Sequence, residues 1–207
     1  MKKIIYFLLT TEKYTERQEN ILNSWGNNVD LFFYSEHEDP TRKVLKVCDE
    51  NNVEIKQISI FKLIKENFYN NYEWYFFGDD DTFVNTKYLN SVLENLNPEF
   101  VHGSDIFGCW NDLHYPSGGA GFLIHNSIIN NFFDSKNFNV GYGDVTFGLN
   151  MKEKNIRIQN NEKFLSQHLD YYKIPHQKAN EYLTFHYVKL INELKYFQDI
   201  CQKSTII

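Results

Sequence analysis

The chain has 207 residues, 42% of them hydrophobic and 17% aromatic, with 18 Phe and 14 Tyr, a composition that excludes a disordered or fibrous protein. That length allows one α/β domain burying roughly 70% of its unfolded surface. A formal net charge of −6 excludes general attraction to nucleic acid or an anionic membrane, since both need clustered positive surface.

The N-terminal MKKIIYFLLTTEKY imitates a signal peptide, but its apolar run at 4–9 is short and no small-residue cleavage site follows. Residues 3–10 are therefore read as a buried first strand. Thr15-Glu16-Arg17-Gln18 matches a capping box, which predicts a helix carrying Ile21, Leu22 and Trp25 and stopped by Gly26. Next come a strand at 29–34, a helix at 42–51 with Val44, Leu45 and Val47, a strand at 53–60, a helix at 61–69 and a strand at 74–77. Such alternation predicts an α/β fold with a largely parallel sheet and helices on both faces. Ligands of such sheets collect at the carboxyl ends of the strands.

Farther on, 86–96 reads as a helix closed by Asn97-Pro98, 100–109 as a strand, and 115–124 as a strand punctuated by glycines. Short helices are expected at 126–133 and 143–154, irregular chain at 156–185, and a terminal helix at 187–200. No internal repeat or low-complexity linker interrupts the chain, which predicts one domain over 1–207 with a nucleotide-type half (1–85) and a variable half (86–207). No stretch approaches the roughly 20 apolar residues of a membrane span. Cys48, Cys109 and Cys201 contain no C-x-x-C pair and suit a reducing compartment better than a disulfide framework.

Four motifs carry chemistry. EWYFFGDDDTFVN at 73–85 ends a buried strand in three adjacent carboxylates, whose repulsion is costly unless a cation or solvent takes up the charge. Asp79 and Asp81 can converge as hard oxygen ligands for Mg²⁺ or Mn²⁺. The same triplet also fits an acidic loop, a cap for the helix near Thr86, or a haloacid-dehalogenase-type phosphatase with Asp79 as nucleophile. Against that last reading, Phe83 stands where such a motif wants Thr or Val, and the motif comes late in the chain. YPSGGAGFLIHNSII at 115–129 carries Gly118, Gly119 and Gly121, which permit either close backbone approach to a ligand or a bulged strand. In GYGDVTFGLNM at 141–151, Asp144 stands at a helix entrance as an N-cap or a general base. His186 in TFHYVK at 184–189 is a core residue or a ligand.

Together with RQENILNSWG at 17–26, the order of these motifs resembles the fringe and β1,3-galactosyltransferase-like family of glycosyltransferases. Arg17, Ile21, Trp25 and Gly26 match that family's R-x-x-x-I-R-x-T-W-G opening, and FFGDDDTFVN, SGGAGFLI, GDVTFG and FHYVK extend the likeness to Lys189. The resemblance implies a glycosyltransferase-A fold with a Rossmann-like, mostly parallel sheet. It implies a UDP-sugar donor, Mn²⁺ (or Mg²⁺), inversion at the anomeric carbon, and a β1,3 linkage to a hydroxyl of a glycan, glycolipid or protein acceptor. Carried across, Asp81 and His186 would hold the metal, Asp79 and Asp80 would contact the donor, Gly118, Gly119 and Ala120 would line the groove, and Asp144 would be the catalytic base.

Two positions depart from the pattern. Leu22 replaces a second arginine and Gly143 replaces a second acid before the base. The family's disulfides and membrane anchor have no counterpart in this sequence, which leads to the expectation of a cytoplasmic enzyme of bacterial or viral type. Acceptor choice is assigned to the divergent second half, including Trp110, Asn111, Asp112, His114 and the stretch 134–143. A noncatalytic glycan- or nucleotide-binding module of the same fold is the competing reading.

Overall fold

The computed structural model describes residues 2–203; Met1 and residues 204–207 lie outside the described residues. Its strands are β1 (Lys2–Leu9), β2 (Leu31–Ser35), β3 (Val44–Lys46), β4 (Tyr72–Asp79), β5 (Phe83–Val84), β6 (Val101–Gly103), β7 (Asp105–Ile106), β8 (Tyr115–Pro116), β9 (Phe122–His125), β10 (Ile158–Asn160), β11 (Phe164–Leu165) and β12 (Thr184–Phe185). The α-helices are α1 (Thr15–Leu22), α2 (Val53–Asn67), α3 (Thr86–Val92), α4 (Asn126–Ile129), α5 (Gly143–Glu153) and α6 (Ile191–Lys203). Seven strands form the central sheet in the order β10-β6-β9-β4-β1-β2-β3. Its pairings are parallel except for those of β9, which runs antiparallel to β4 and β6.

Side chains alternate across a strand, so β1 and β4 feed two separate cores. Ile4, Tyr6, Leu8, Trp74 and Phe76 pack with Ile21 and Trp25, with Leu89 of α3 and with Leu194 and Phe197 of α6. Ile5, Phe7, Tyr75 and Phe77 face the other way, onto Ile60, Phe61 and Ile64 of α2, Ile129 of α4, and Phe147 and Met151 of α5. Helices therefore cover both faces, as expected. On the second face Phe77, Phe122, Phe147, Phe132 and Phe61 close a ring of neighbouring aromatics with centroids 4.7–5.3 Å apart. Each such pair adds about 0.5–1.5 kcal/mol beyond the area it buries.

Several expectations need correction. The stretch 53–60 is not a strand but the first half of α2. Its β-branched residues alternate with polar ones, yet the Asn52 side chain accepts from the N–H groups of Glu54 and Ile55 and starts a helix. The stretch 42–51 is not a helix. Asp39 caps a 3₁₀ turn over Pro40–Arg42, Lys43 takes a left-handed φ of 57°, and Val44–Lys46 joins the sheet beside β2. The capping box does not form: Tyr14 is the N-cap of α1 and makes no side-chain cap hydrogen bond. Residues 100–109 split into β6 and β7, and 115–124 splits into β8 and β9 around the glycine turn. The stretch expected to be irregular holds β10, β11, a 3₁₀ helix at His176–Glu181 and β12, and the terminal helix begins at Ile191.

A small sheet, β11-β12-β5, positions the site. Strand β5 begins one residue after the acidic triplet and pairs antiparallel with β12, Phe83 opposite Phe185 and Val84 opposite Thr184. That register sets the next residue of the β12 segment, His186, beside the carboxylates, and Val188 N–H donates to the Asp81 carbonyl at 2.9 Å.

Candidate functional site

The two central strands end at the same level. Leu9 pairs with Asp79, and Asp80 N–H donates to the Leu9 carbonyl at 3.1 Å, so the triplet emerges where β1 also stops. Asp79 N–H donates to Thr82 Oγ1, whose own proton goes to the Gly119 carbonyl at 2.8 Å. The turn is thereby tied to the glycine segment 37 residues later in the chain.

The three carboxylates have different surroundings. Asp81 Oδ1 lies 2.8 Å from His186 Nε2, and Asp79 Oδ2 lies 3.6 Å from the same nitrogen. Ligand-type atoms of Asp79, Asp81 and His186 all sit within 4.8 Å of one another. Asp80 turns away: it is only 4% exposed, and its oxygens accept from Thr10 Oγ1 at 2.6 Å and Arg17 Nη1 at 3.0 Å. The same Arg17 nitrogen reaches Asp81 Oδ2 at 3.2 Å, and Lys189 Nζ approaches that oxygen to 3.7 Å. The convergence of Asp79 and Asp81 expected from their spacing is seen, with His186 joining them; the resemblance had put Asp79 with Asp80 on the donor.

The electrostatics follow this division. Burial pushes Asp79 upward, opposed by His186 and reinforced by its two neighbouring aspartates and Asp144. Burial also raises Asp80, to about 6, against the pull of Thr10 and Arg17. For Asp81 burial is outweighed by the His186 hydrogen bond and by the charges of His186, Arg17 and Lys189, so it is held below the ordinary value. His186 is raised, because its contacts with Asp81 and Asp79 exceed the penalty of burial. Two hard carboxylates and one imidazole, all bordering a cleft, form a donor set suited to a divalent cation such as Mn²⁺ or Mg²⁺.

The cleft holds about 490 Å³ and is bordered by Thr10, Tyr14, Arg17, Lys56 and Tyr187 as well as the cluster. Arg17 is fixed from above by the Tyr14 ring, 3.8 Å from its guanidinium carbon. Beneath the cleft, Lys56 is almost fully buried and pairs with Glu36, while also donating to the Thr10 carbonyl at 3.1 Å and Asn51 Oδ1 at 2.8 Å. Reading 53–60 as a strand hid this lysine; the Asn52 cap and the helical spacing of Lys56, Ile60 and Ile64 were the available signals.

Gly119 is required by packing. A Cβ built there would lie 2.1 Å from His186 Nδ1, so any side chain displaces the imidazole. Gly119→Ala is expected to weaken the affinity of the Asp79, Asp81 and His186 cluster for a divalent cation at least about tenfold while leaving the far-ultraviolet circular dichroism spectrum unchanged. Affinity equal to wild type in calorimetry would show that the ring has room to move. Ala120 is fully buried, and its carbonyl accepts from Thr184 Oγ1 at 2.5 Å.

Asp144 occupies the first turn of α5 but is not its N-cap, which is Tyr142. A Cβ on Gly118 would stand 3.7 Å from the Asp144 Cβ, so the aspartate faces the glycine segment. Burial raises its pKa, opposed by N–H groups of Val145 and Gly118. Gly143 fits because a Cβ there would come within 3.2 Å of the Val53 carbonyl. A carboxylate reaches this helix entrance from α2 instead: Glu54 accepts from the N–H groups of Val140 and Gly141 at 2.9 and 2.7 Å and from the Thr146 hydroxyl. Leu22 packs against the first core.

Among the described residues no helix is long and apolar enough to cross a membrane. No family model matches the chain. Among solved structures it is similar to the glycosyltransferase GlyE of Streptococcus pneumoniae TIGR4, with a TM-score of 0.56 and 16% identity over 98% of this chain. The match spans 63% of the GlyE chain. It is also similar to a glycosyltransferase involved in the glycosylation of the major capsid of PBCV-1, with a TM-score of 0.56 and 14% identity over 96% of this chain and 98% of that one. These likenesses, with the mixed, largely parallel sheet and its two helical layers, establish a Rossmann-like glycosyltransferase-A architecture.

Proposed function

We propose that this chain is a metal-dependent, inverting glycosyltransferase of the fringe and β1,3-galactosyltransferase-like type. It would move a sugar from a UDP-sugar to a hydroxyl of a glycan, glycolipid or protein acceptor, forming a β1,3 linkage. The observation that carries the reading is the convergence of Asp79, Asp81 and His186 at the carboxyl end of β4, in a cleft flanked by Arg17 and Lys189. The glycosyltransferases of the same architecture support it. Residues 1–85 would supply most of the nucleotide-binding half and 86–207 the acceptor-binding half, with His186 and Lys189 of the second half reaching the metal cluster.

Asp79, Asp81 and His186 would hold Mn²⁺ or Mg²⁺, which when bound supplies positive charge to a diphosphate leaving group. Arg17 and Lys189 stand beside Asp81 and donate to phosphate oxygens. Asp80 acts as a positioning residue by anchoring Arg17. The Gly118-Gly119 backbone lies between the cluster, whose His186 abuts Gly119, and Asp144, which abuts Gly118, while Ala120 is buried beneath them. Asp144 takes the proton of the acceptor hydroxyl, which attacks from the face opposite the departing diphosphate. Acceptor sugars would stack on the exposed Tyr142 beside its half-buried, edge-on neighbour Trp110, whose ring centroid is 5.9 Å away. Free thiols at Cys48, Cys109 and Cys201 fit a cytoplasmic setting.

The test is a panel of nucleotide sugars incubated with the protein and Mn²⁺, read as release of free UDP. At least one UDP-sugar is expected to be turned over, slowly by hydrolysis and faster with an acceptor. Silence across a broad panel by a protein that still binds UDP would favour the noncatalytic module.

A further inference from the structure

A second group of metal-ligand side chains lies on the far side of the small β11-β12-β5 sheet, and no step proposed above uses it. His168, Asp170 and His176 bring one ligand atom each within 4.8 Å of one another. The spacing H-x-D-x₅-H is folded tightly by successive turns: Tyr171 N–H donates to the His168 carbonyl at 3.1 Å, Tyr172 N–H to the Leu169 carbonyl at 3.1 Å, and Lys173 N–H to the Asp170 carbonyl at 3.0 Å. His176 then opens the 3₁₀ helix.

We propose that His168, Asp170 and His176 form a structural site for a transition-metal dication, with Zn²⁺ the best match to its imidazole and carboxylate donors. Asp170 bridges the two rings, with Oδ1 2.8 Å from His176 Nε2 and Oδ2 3.1 Å from His168 Nδ1. Ligands about 2.0–2.1 Å from a tetrahedral zinc stand roughly 3.3 Å apart, so the three ligand atoms, now within 4.8 Å of one another, would draw together around the ion. The side chain of Asp170 is 71% exposed, which leaves the fourth position open to water and gives the ion a way in.

Carboxylate oxygens stand 3.1 Å from both nitrogens of the His168 ring. His168 Nδ1 lies 3.3 Å from the Asp170 N–H nitrogen. The same ring nitrogen stands 3.1 Å from Asp170 Oδ2, so a carboxylate oxygen and an imidazole nitrogen face each other at a point where a cation could be shared between them. The other ring nitrogen, Nε2, lies 3.1 Å from Glu193 Oε1. A metal-bound histidine oriented through its other nitrogen by a carboxylate is the usual outer-shell arrangement.

The packing indicates what such an ion would do. Phe197 of α6 touches His176 and His168, with centroids 5.1 and 6.0 Å away, and Phe185 at 4.8 Å. The ion would clip the 168–176 turn and α6 onto β12, the strand that precedes His186. This inference does not rest on the proposed transferase reaction.

The experiment uses Co²⁺ and Zn²⁺ alone, in an Asp81→Asn/His186→Gln background that disables the first cluster. One equivalent of Co²⁺ is expected to bind with visible absorption bands of tetrahedral intensity, Zn²⁺ should displace it, and Zn²⁺ should raise the Tm. Adding His176→Gln or Asp170→Asn, both at partly or largely exposed positions, should abolish the bands. Glu193→Gln should retain them with an affinity about tenfold weaker. Absence of bands and of a zinc-induced Tm shift in the background protein would overturn the site. So would bands that survive both His176→Gln and Asp170→Asn. Should the background protein fail to fold, equilibrium dialysis of the otherwise unaltered chain against its His176→Gln variant decides the matter: a loss of one Zn²⁺ equivalent supports the site and equal stoichiometry refutes it.

Discussion

Asp144→Asn is expected to bind UDP within about twofold of the unaltered chain while its turnover falls about 10³-fold, the size of effect a positioned general base supplies. The substitution preserves shape and removes only the capacity to accept a proton. Asp144 suits that task because burial lifts its pKa above the ordinary 3.8, against the N–H groups of Val145 and Gly118. A base works in its deprotonated form, so turnover in the unaltered protein should fall as the pH drops through that raised value. The acidic limb of the profile therefore lies above pH 3.8, and Asp144→Asn should lose it. Turnover within about fivefold of the unaltered chain, or an unchanged acidic limb, would remove Asp144 from the mechanism.

The largest stability effect is expected at Lys56. Replacing it with Met leaves the Glu36 carboxylate buried without its ion-pair partner, which costs about 3 kcal/mol. At roughly 2–4 °C per kcal/mol for a chain of this size, the Tm should fall by about 6–12 °C. Burial would raise Glu36, but hydrogen bonds from Lys56, Ser35 and Thr11 outweigh it and bring its pKa from 4.5 to about 2. The folded value lies below the unfolded one, so this contribution is complete above pH 4.5 and is lost as the pH falls towards 2. In Lys56→Met the acid-side slope of stability should flatten, and adding Glu36→Gln should recover much of the loss, because the unpaired charge is then gone. A Lys56→Met protein as stable as its parent in denaturant titrations would contradict the assignment.

Lys56 also shows where the sequence was hard to read. The run VEIKQISI alternates β-branched and polar residues as a strand would, and only the Asn52 cap, a local hydrogen bond, turns it into a helix. At 42–51 the apolar spacing resembled a helix, but Lys43 in a left-handed conformation and the pull of β2 on Val44–Lys46 produced an edge strand. In both places a tertiary or capping contact overrode a periodicity shared by two structures. By contrast β1 and β4 were plain, because continuous apolar runs ending at polar turns suit strands buried on both faces.

The candidate site was legible in composition and only partly in arrangement. Asp79, Asp81 and His186 were identified as residues of interest, but their meeting depends on the pairing of β5 with β12, and short strands of two residues leave little trace in a sequence. The separation of Asp80 from its neighbours was not legible at all, since it follows from Thr10 and Arg17 contributed by β1's end and α1. Gly119 was marked as a point of close approach; that the approaching group is the His186 ring required the structure.

The most direct measurement of the central claim is a calorimetric titration of UDP into the protein with Mn²⁺ and again in excess chelator, repeated with Asp81→Ala. Tight binding is expected in Mn²⁺ and loss of that binding in chelator, while Asp81→Ala should behave in both buffers as the unaltered protein does without metal. Equal UDP affinity with and without the metal would contradict the account.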